Sequence, residues 1–208
     1  MKPFDTQIAT RLATDGWVHL PGVGATALDP LIEDLGVTVL HTTDVVVRDG
    51  RALITSDRAI DFHTDHHRAE LIAWRCLVQT TRGGHTRLAD AQSAFASLAP
   101  QQRRRLESVR LFEHSVFPGD AATHPVVEYR AERPRFYCSF WFEAPSDPED
   151  AAALSALRAA IKRHVVADLR LASGDVLLID NRRVLHARTA ITGSRNRHLV
   201  RHWLAASG

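Results

Sequence analysis

A chain of 208 residues, 45 % hydrophobic and 24 % charged, has the composition of an ordinary globular domain, and its length fits one domain over 1–208 with a core that needs no covalent staple. Two cysteines, Cys76 and Cys138, are too few for a disulfide framework and lack CxxC spacing, so they read as buried, inert thiols in a reducing, cytoplasmic setting. A formal charge of +2, scattered arginines, no apolar leader and no run approaching eighteen apolar residues give no expectation of a nucleic-acid or membrane partner.

Phe4, Ile8 and Leu12 recur at helical spacing, so residues 4–14 read as a short helix. Gly16 ends it, and Trp17-Val18-His19-Leu20 reads as a strand entering a Pro21-Gly22 turn. A second short helix is expected over about 27–35, stopped by Gly36. Val37 to Val47, rich in β-branched residues, reads as a strand followed by an Asp49-Gly50 turn. Leu71 to Thr81 is another, ended by Gly83-Gly84. Helix is expected from about Ala91 to Glu107, broken at Pro100. Arg103-Arg104-Arg105, the densest basic cluster, reads as a solvated helix face because no aromatic residues interleave it.

Val109 to Val116, Val126 to Arg130 and Phe136 to Phe142 read as strands. Asp147-Pro148-Glu149-Asp150 combines an N-cap candidate, a first-turn proline and acids at the positive dipole end, which starts a helix running to about Val166. Val176-Leu177-Leu178-Ile179 is a wholly apolar strand after the Gly174-Asp175 turn, and Arg197 to Leu204 closes the chain. Many short strands with helices outside them indicate a mainly β fold with flanking helices (α+β), a barrel or a double-sheet jelly roll.

Twelve histidines raise the expectation of a metal site. In Phe62-His63-Thr64-Asp65 an imidazole and a carboxylate stand two residues apart, and on an extended strand both point to one face. A third ligand from a distant strand would complete a two-histidine, one-carboxylate face, which leaves open positions on iron for a chelating cosubstrate and O₂. The pair alone is weak, since 12 histidines and 24 acids yield about 1.4 His-x-acid pairs by chance. His66 and His67, beside it, read as non-ligands.

The stretch Gly174-Asp175-Val176-Leu177-Leu178-Ile179-Asp180-Asn181-Arg182-Arg183-Val184-Leu185-His186-Ala187-Arg188-Thr189 resembles the distal-ligand segment of the taurine dioxygenase-like (TauD/TfdA, clavaminate synthase-like) iron(II)/2-oxoglutarate-dependent dioxygenases. Gly83-Gly84-His85-Thr86, followed by Leu88 and Asp90, is similar to that family's GG-x-T segment. Arg197 and Arg201, eleven and fifteen residues beyond His186, fall where the family carries arginines, and Arg197-His198-Leu199 resembles γ-butyrobetaine hydroxylases of the same group. The resemblance runs from about Asp15 to Trp203. It implies a double-stranded β-helix (jelly-roll, cupin-like) core and iron(II) held by His63, Asp65 and His186. It also implies 2-oxoglutarate as cosubstrate, its far carboxylate on the Arg197 fork with help from the Thr86 hydroxyl. Arg201 would face substrate or support the barrel, and Arg188 would line the pocket or brace it. A buried Asp180–Arg182 pair would steady the turn before His186.

The activity so implied is hydroxylation, or desaturation or cyclisation, of a small polar molecule such as an amino acid derivative or natural-product intermediate, with release of succinate and CO₂. Asp65 argues against halogenation, since the related halogenases carry a small residue there. A zinc hydrolase or isomerase on the same ligands and a non-catalytic binding relative are the other classes. The GG-x-T segment and Arg197 argue against the first, which needs no dicarboxylate cosubstrate, and the intact ligand set argues against the second. Only 62 residues precede His63 and the stretch to His186 is lean, so the family's substrate-covering loops are expected to be trimmed.

Overall fold

The computed structural model describes residues 3–24, 28–48, 52–113, 115–139 and 145–206. Its first half runs α1 (Pro3–Asp15), β1 (Trp17–Leu20), α2 (Leu28–Asp34), β2 (Val37–Val46), a 3-10 turn (Leu53–Thr55), β3 (Ile60–His63), β4 (Leu71–Val78), β5 (Thr86–Asp90) and α3 (Ala91–Ala96). The second half runs α4 (Pro100–Ser108), β6 (Arg110–Phe112), β7 (Thr123–Pro125), β8 (Val127–Arg130), β9 (Arg133–Phe136), α5 (Pro148–Arg163), β10 (Val165–Leu169), β11 (Val176–Asp180), β12 (Val184–Arg188) and β13 (His198–Ala206).

Two antiparallel sheets form the core, one of five strands in the order β1-β11-β4-β13-β2 and one of four in the order β10-β5-β12-β3. Most neighbours in these sheets are distant in sequence, as expected for the double-sheet jelly roll. The apolar run in β11 follows from burial on both faces. Leu177 and Ile179 pack between the sheets with Ile72, Trp74, Leu88 and Val184, whereas Val176 and Leu178 pack outward against Ile8, Leu12 and Leu31 of α1 and α2. On the far side, Leu154, Leu157 and Ile161 of α5 cover Leu185 and Ala187 of β12. Each fully buried side chain of this size contributes roughly 1.5–3 kcal/mol.

Period-two alternation then decides what faces the interior. In β12, Leu185 and Ala187 turn outward to the helices, which leaves Val184, His186 and Arg188 inward. In β13 the inward set is Leu199, Arg201 and Trp203. Cys76 and Cys138 are buried free thiols.

The structure redraws several expected boundaries. The strand expected over 109–116 shrinks to β6, which pairs with β7 in a separate two-stranded sheet. That expected over 136–142 ends at Phe136, residues 137–139 lie outside any strand, and 140–142 lie outside the described residues, as do the Asp49-Gly50 turn and residue 27. Helix α5 starts on the Asp147 cap, whose carboxylate accepts from the Glu149 and Asp150 amides, but it ends at Arg163. Val165 and Val166 belong to β10, where Val165 pairs with Ala89 of β5. Their β-branched side chains suit a strand better than a last helical turn.

Candidate active site

His63 ends β3 and His186 lies mid-way along β12, and the two are direct partners across that antiparallel pair. This register brings their rings to 4.2 Å between centroids. The Asp61 carbonyl lies 2.8 Å from His63 Nδ1, which fixes the proton there and leaves Nε2 as the lone-pair nitrogen. Asp65 is not on the strand, contrary to the expected extended geometry. Thr64 has left it, donating its amide to the Cys138 carbonyl at 3.0 Å and accepting the Cys138 amide on its hydroxyl at 2.9 Å. The loop still points the carboxylate inward, with Oδ1 3.8 Å from Nε2 of both histidines.

Asp65 is held on three sides. Arg201 Nη1 donates to both of its oxygens at 2.9 Å, and the Trp203 indole donates to Oδ2 at 2.8 Å. Its backbone amide donates to Oδ1 of Asn181 at 2.7 Å, and the Asn181 amide donates in turn to the Ala69 and His66 carbonyls at 2.8 and 3.3 Å. Burial by itself raises the Asp65 pKa, but the Arg201 charge, the two imidazoles and the indole hold it below the ordinary carboxylate value. Burial lowers His63 and takes His186 down to about 3, so both imidazoles are neutral at physiological pH. The His186 nitrogens are buried without a hydrogen-bond partner among the described residues. The donor atoms of His63, Asp65 and His186 all lie within 4.8 Å of one another, close enough for one ion to be shared by the three. One anion, two neutral imidazoles and a partnerless ring nitrogen therefore fit a divalent transition metal.

These three residues open onto a cavity of about 470 Å³ with largely apolar walls. Arg188, Arg197, Arg201 and Thr86 line it too. Thr86 of β5 is the direct cross-strand partner of Arg188. Arg197 is buried, and its Nε donates to the Gln79 side chain at 3.2 Å. Its stem lies against Gly84, which has φ +68; a Cβ there would come within 2.9 Å of Thr80 Cγ2 and 3.2 Å of Arg197 Cδ. At Gly83 (φ +71) a Cβ would fall 2.0 Å from the Ala190 carbonyl oxygen. The glycine pair thus lets the backbone pass between β12's exit and Arg197. Among the described residues neither Arg188 nor Arg197 has a carboxylate within 4.0 Å. Burial, and then the nearby Arg188 charge, bring Arg197 down to about 10; burial brings Arg188 to about 10. Two like charges in one buried cavity favour an anion between them.

Residues 8–203 match the family described as taurine catabolism dioxygenase TauD, TfdA family. The chain belongs to that family. It is an oxidoreductase of the iron(II)- and 2-oxoglutarate-dependent kind. In sequence, no curated protein matches it significantly. In fold it is similar to asparagine oxygenase solved with Fe(II), (2S,3S)-3-hydroxyasparagine and succinate, at 18 % identity and TM-score 0.81 over 98 % of this chain and 79 % of that one. The non-haem iron oxygenase OrfP, in complex with Fe, succinate and (3S)-hydroxy-L-Arg, is similar at 16 % identity and TM-score 0.77 over 100 % and 82 %. PvcB from Pseudomonas aeruginosa is similar at 21 % identity and TM-score 0.70 over 95 % and 79 %.

Within this TauD/TfdA-family chain some expected contacts take another form. Asp180 and Arg182 do not pair through their side chains: the Arg182 amide donates to Asp180 Oδ1 at 2.9 Å, while its guanidinium reaches Glu128 and the His67 carbonyl. Arg188 donates to the carbonyls of Ile54 at 2.9 Å and Arg58 at 2.7 Å, and also to those of Leu53 and Ser56, so it binds the 53–58 segment to the barrel. The sequence alone assigns no role to Asn181, Trp203 or Glu113. Asn181 is visible only as one of four polar residues, Asp180 to Arg183, between two apolar strands, and Trp203 as the next inward position after Arg201.

A second donor set, His66, His67 and Glu113, lies within 4.8 Å. Its hydrogen bonds speak against a metal. The Arg68 amide donates to His66 Nδ1 at 3.2 Å, which places the ring proton on Nε2, and that nitrogen faces Asp120 Oδ2 at 3.1 Å. His67 instead stacks on His124, centroids 3.4 Å apart.

Proposed function

We propose that His63, Asp65 and His186 hold the iron(II), that Arg197 and Thr86 hold 2-oxoglutarate, and that the chain oxidises a C–H bond of a small amino-acid-type molecule, most simply by hydroxylation. The metal, when bound, supplies the oxidative decarboxylation of 2-oxoglutarate to succinate and CO₂ that drives attack on the substrate. The protein's own work is positioning. Asp65 supplies the one anionic donor, oriented by Arg201 and Trp203, and the two imidazoles are already neutral and need lose no proton to bind. Arg197 offers a planar fork matched to a carboxylate, and the apolar wall keeps water from the reacting C–H bond.

The observation that carries this reading is the pairing, in one cavity, of a two-histidine, one-carboxylate donor set with two buried guanidiniums that have no carboxylate of their own among the described residues. A zinc hydrolase has no use for that second feature. The amino-acid class is suggested by the asparagine oxygenase and OrfP complexes, which contain hydroxylated amino acids beside succinate. Among the described residues no helix is long and apolar enough to cross a membrane. The test is anaerobic titration of the iron-loaded protein with 2-oxoglutarate, following the charge-transfer band of a chelated keto acid, then succinate release on admitting O₂ with amino acids present. Absence of the band at millimolar 2-oxoglutarate sinks the assignment.

A further inference from the structure

We propose that Glu113 is the substrate-selecting residue of the cavity and that it receives a protonated amine, so that the substrate is an amine cation with an apolar body. This deepens the oxygenase reading and rests on it for the identity of the cavity. Glu113 directly follows β6, is 6 % exposed, and lines the cavity beside Val116, Tyr137 and Ser139. Its Oε2 accepts the His67 amide at 2.8 Å, so the carboxyl is tied to the loop that carries Asp65.

The buried acids around the cavity differ in what neutralises them. Asp65 has Arg201 and the Trp203 indole. Asp120 has His66, two backbone amides and Arg68. Glu113 has no lysine or arginine within 4.0 Å among the described residues. Two imidazoles approach it. His67 Nδ1 is 3.6 Å away, beyond hydrogen-bond distance, on a ring stacked against His124. His66 Nε2, at 4.0 Å, already faces Asp120 at 3.1 Å. Burial accordingly raises the Glu113 pKa. A carboxylate kept out of water without a counter-charge is costly unless something else supplies one.

The cavity's three guanidiniums do not serve it. Arg201 is committed to Asp65, Arg188 to four carbonyls, and Arg197 is assigned to the cosubstrate. With the iron assigned to His63, Asp65 and His186, the substrate is the remaining source of positive charge, and an ammonium donating to a buried carboxylate makes a short, charge-assisted hydrogen bond. Val45, Leu53, Ile54, Ile60 and Leu199 supply apolar wall for the rest of the molecule.

The test uses the zinc-loaded protein with 2-oxoglutarate, which binds without turnover. A panel of L-amino acids, each paired with its N-acetyl and 2-hydroxy counterparts, is examined by saturation-transfer NMR. Free amines should bind at least ten-fold more tightly than their uncharged partners. Glu113→Gln keeps an acceptor for the His67 amide, so it should fold; circular dichroism and an unchanged 2-oxoglutarate affinity confirm this. In it the amine preference should disappear. Equal binding of amines and N-acetyl partners by the wild type, no amine among the binders, or a preference that survives in Glu113→Gln would overturn the proposal. Failure of 2-oxoglutarate to bind the wild type would instead strike the oxygenase reading and leave the amine comparison readable.

Discussion

Arg201 and Asp65 form a closed pair inside the barrel, Nη1 lying 2.9 Å from each carboxylate oxygen, and the Trp203 indole takes Oδ2 from the same side. The distances to His63 and His186 both run to Oδ1. Two side chains two residues apart on β13 therefore determine which oxygen faces the imidazoles. Removing one partner of such a buried pair typically costs about 3–5 kcal/mol. Arg201→Ala should destabilise the metal-free protein by that order. Trp203→Phe keeps most of the packing and loses only the donor, at roughly 1.5–3 kcal/mol. Urea unfolding of the metal-free protein measures both, and iron affinity by competition with a chelator should fall in each. Wild-type iron affinity in Trp203→Phe would show that the indole bond does not orient Asp65.

Arg188 makes a different prediction. Its guanidinium gathers carbonyls from the 53–58 segment, part of the cavity wall, onto β12. Arg188→Met retains length but leaves buried carbonyls without donors, at about 1–3 kcal/mol each. Hydrogen exchange in residues 52–58 should accelerate by at least ten-fold while β11 and β4 stay protected. If exchange there is unchanged, Arg188 is not what holds the segment.

The stacked His67–His124 pair gives a pH dependence. Burial lowers both pKa values, His67 to about 4. In the folded protein these rings stay neutral when the unfolded chain, with histidine pKa near 6.5, has begun to take up protons. Protons thus bind the unfolded state preferentially, and stability falls as pH drops from about 6.5 toward 4, with no effect from these rings above that window. His124 Nε2 has no hydrogen-bond partner, so His124→Phe removes a titrating group without breaking a bond to that nitrogen. Its stability should be near wild type at pH 7.5 and exceed it at pH 5.5, as judged by urea midpoints. Parallel pH profiles for the two proteins would refute the assignment.

Much of this was legible in the chain because two kinds of signal are local. The His63-x-Asp65 spacing and the block around His186 survive without knowledge of the fold, and the Asp147 cap names its helix start. What was not legible depends on partners far away in sequence. The short strands β3, β5 and β12 have few residues to show a period, and β12 is recognisable only because β3 and β5 flank it. Asn181 looks like a turn residue until the loop from Asp65 to Ala69, 112 to 116 residues earlier, is laid across it. Arg201 lines the pocket, but its pairing with Asp65 spans 136 residues and has no local signature.

The cosubstrate clamp offers the sharpest test, because Arg197 and Gly84 can be varied separately. Arg197 is buried, its Nε bonded to Gln79, with no carboxylate partner among the described residues. If it holds the far carboxylate of 2-oxoglutarate, Arg197→Ala forfeits a buried charge-assisted pair worth about 3–5 kcal/mol, a loss in affinity of roughly 10²-fold or more. Arg197→Lys should recover only part, since an ammonium cannot reproduce the planar fork. Gly84→Ala leaves the guanidinium in place but presses a methyl group toward its stem and toward Thr80, at a φ that alanine rarely adopts. It should therefore weaken 2-oxoglutarate binding by less than Arg197→Ala, and the double variant should be no worse than Arg197→Ala alone, since displacing an absent side chain has no further effect. Iron affinity should be unchanged throughout, because Arg197 is outside the donor set. Anaerobic titrations of the iron-loaded variants give all four constants. Additive losses in the double variant would mean that Gly84 acts on the cosubstrate by some route other than Arg197, and normal binding in Arg197→Ala would remove Arg197 from the clamp altogether.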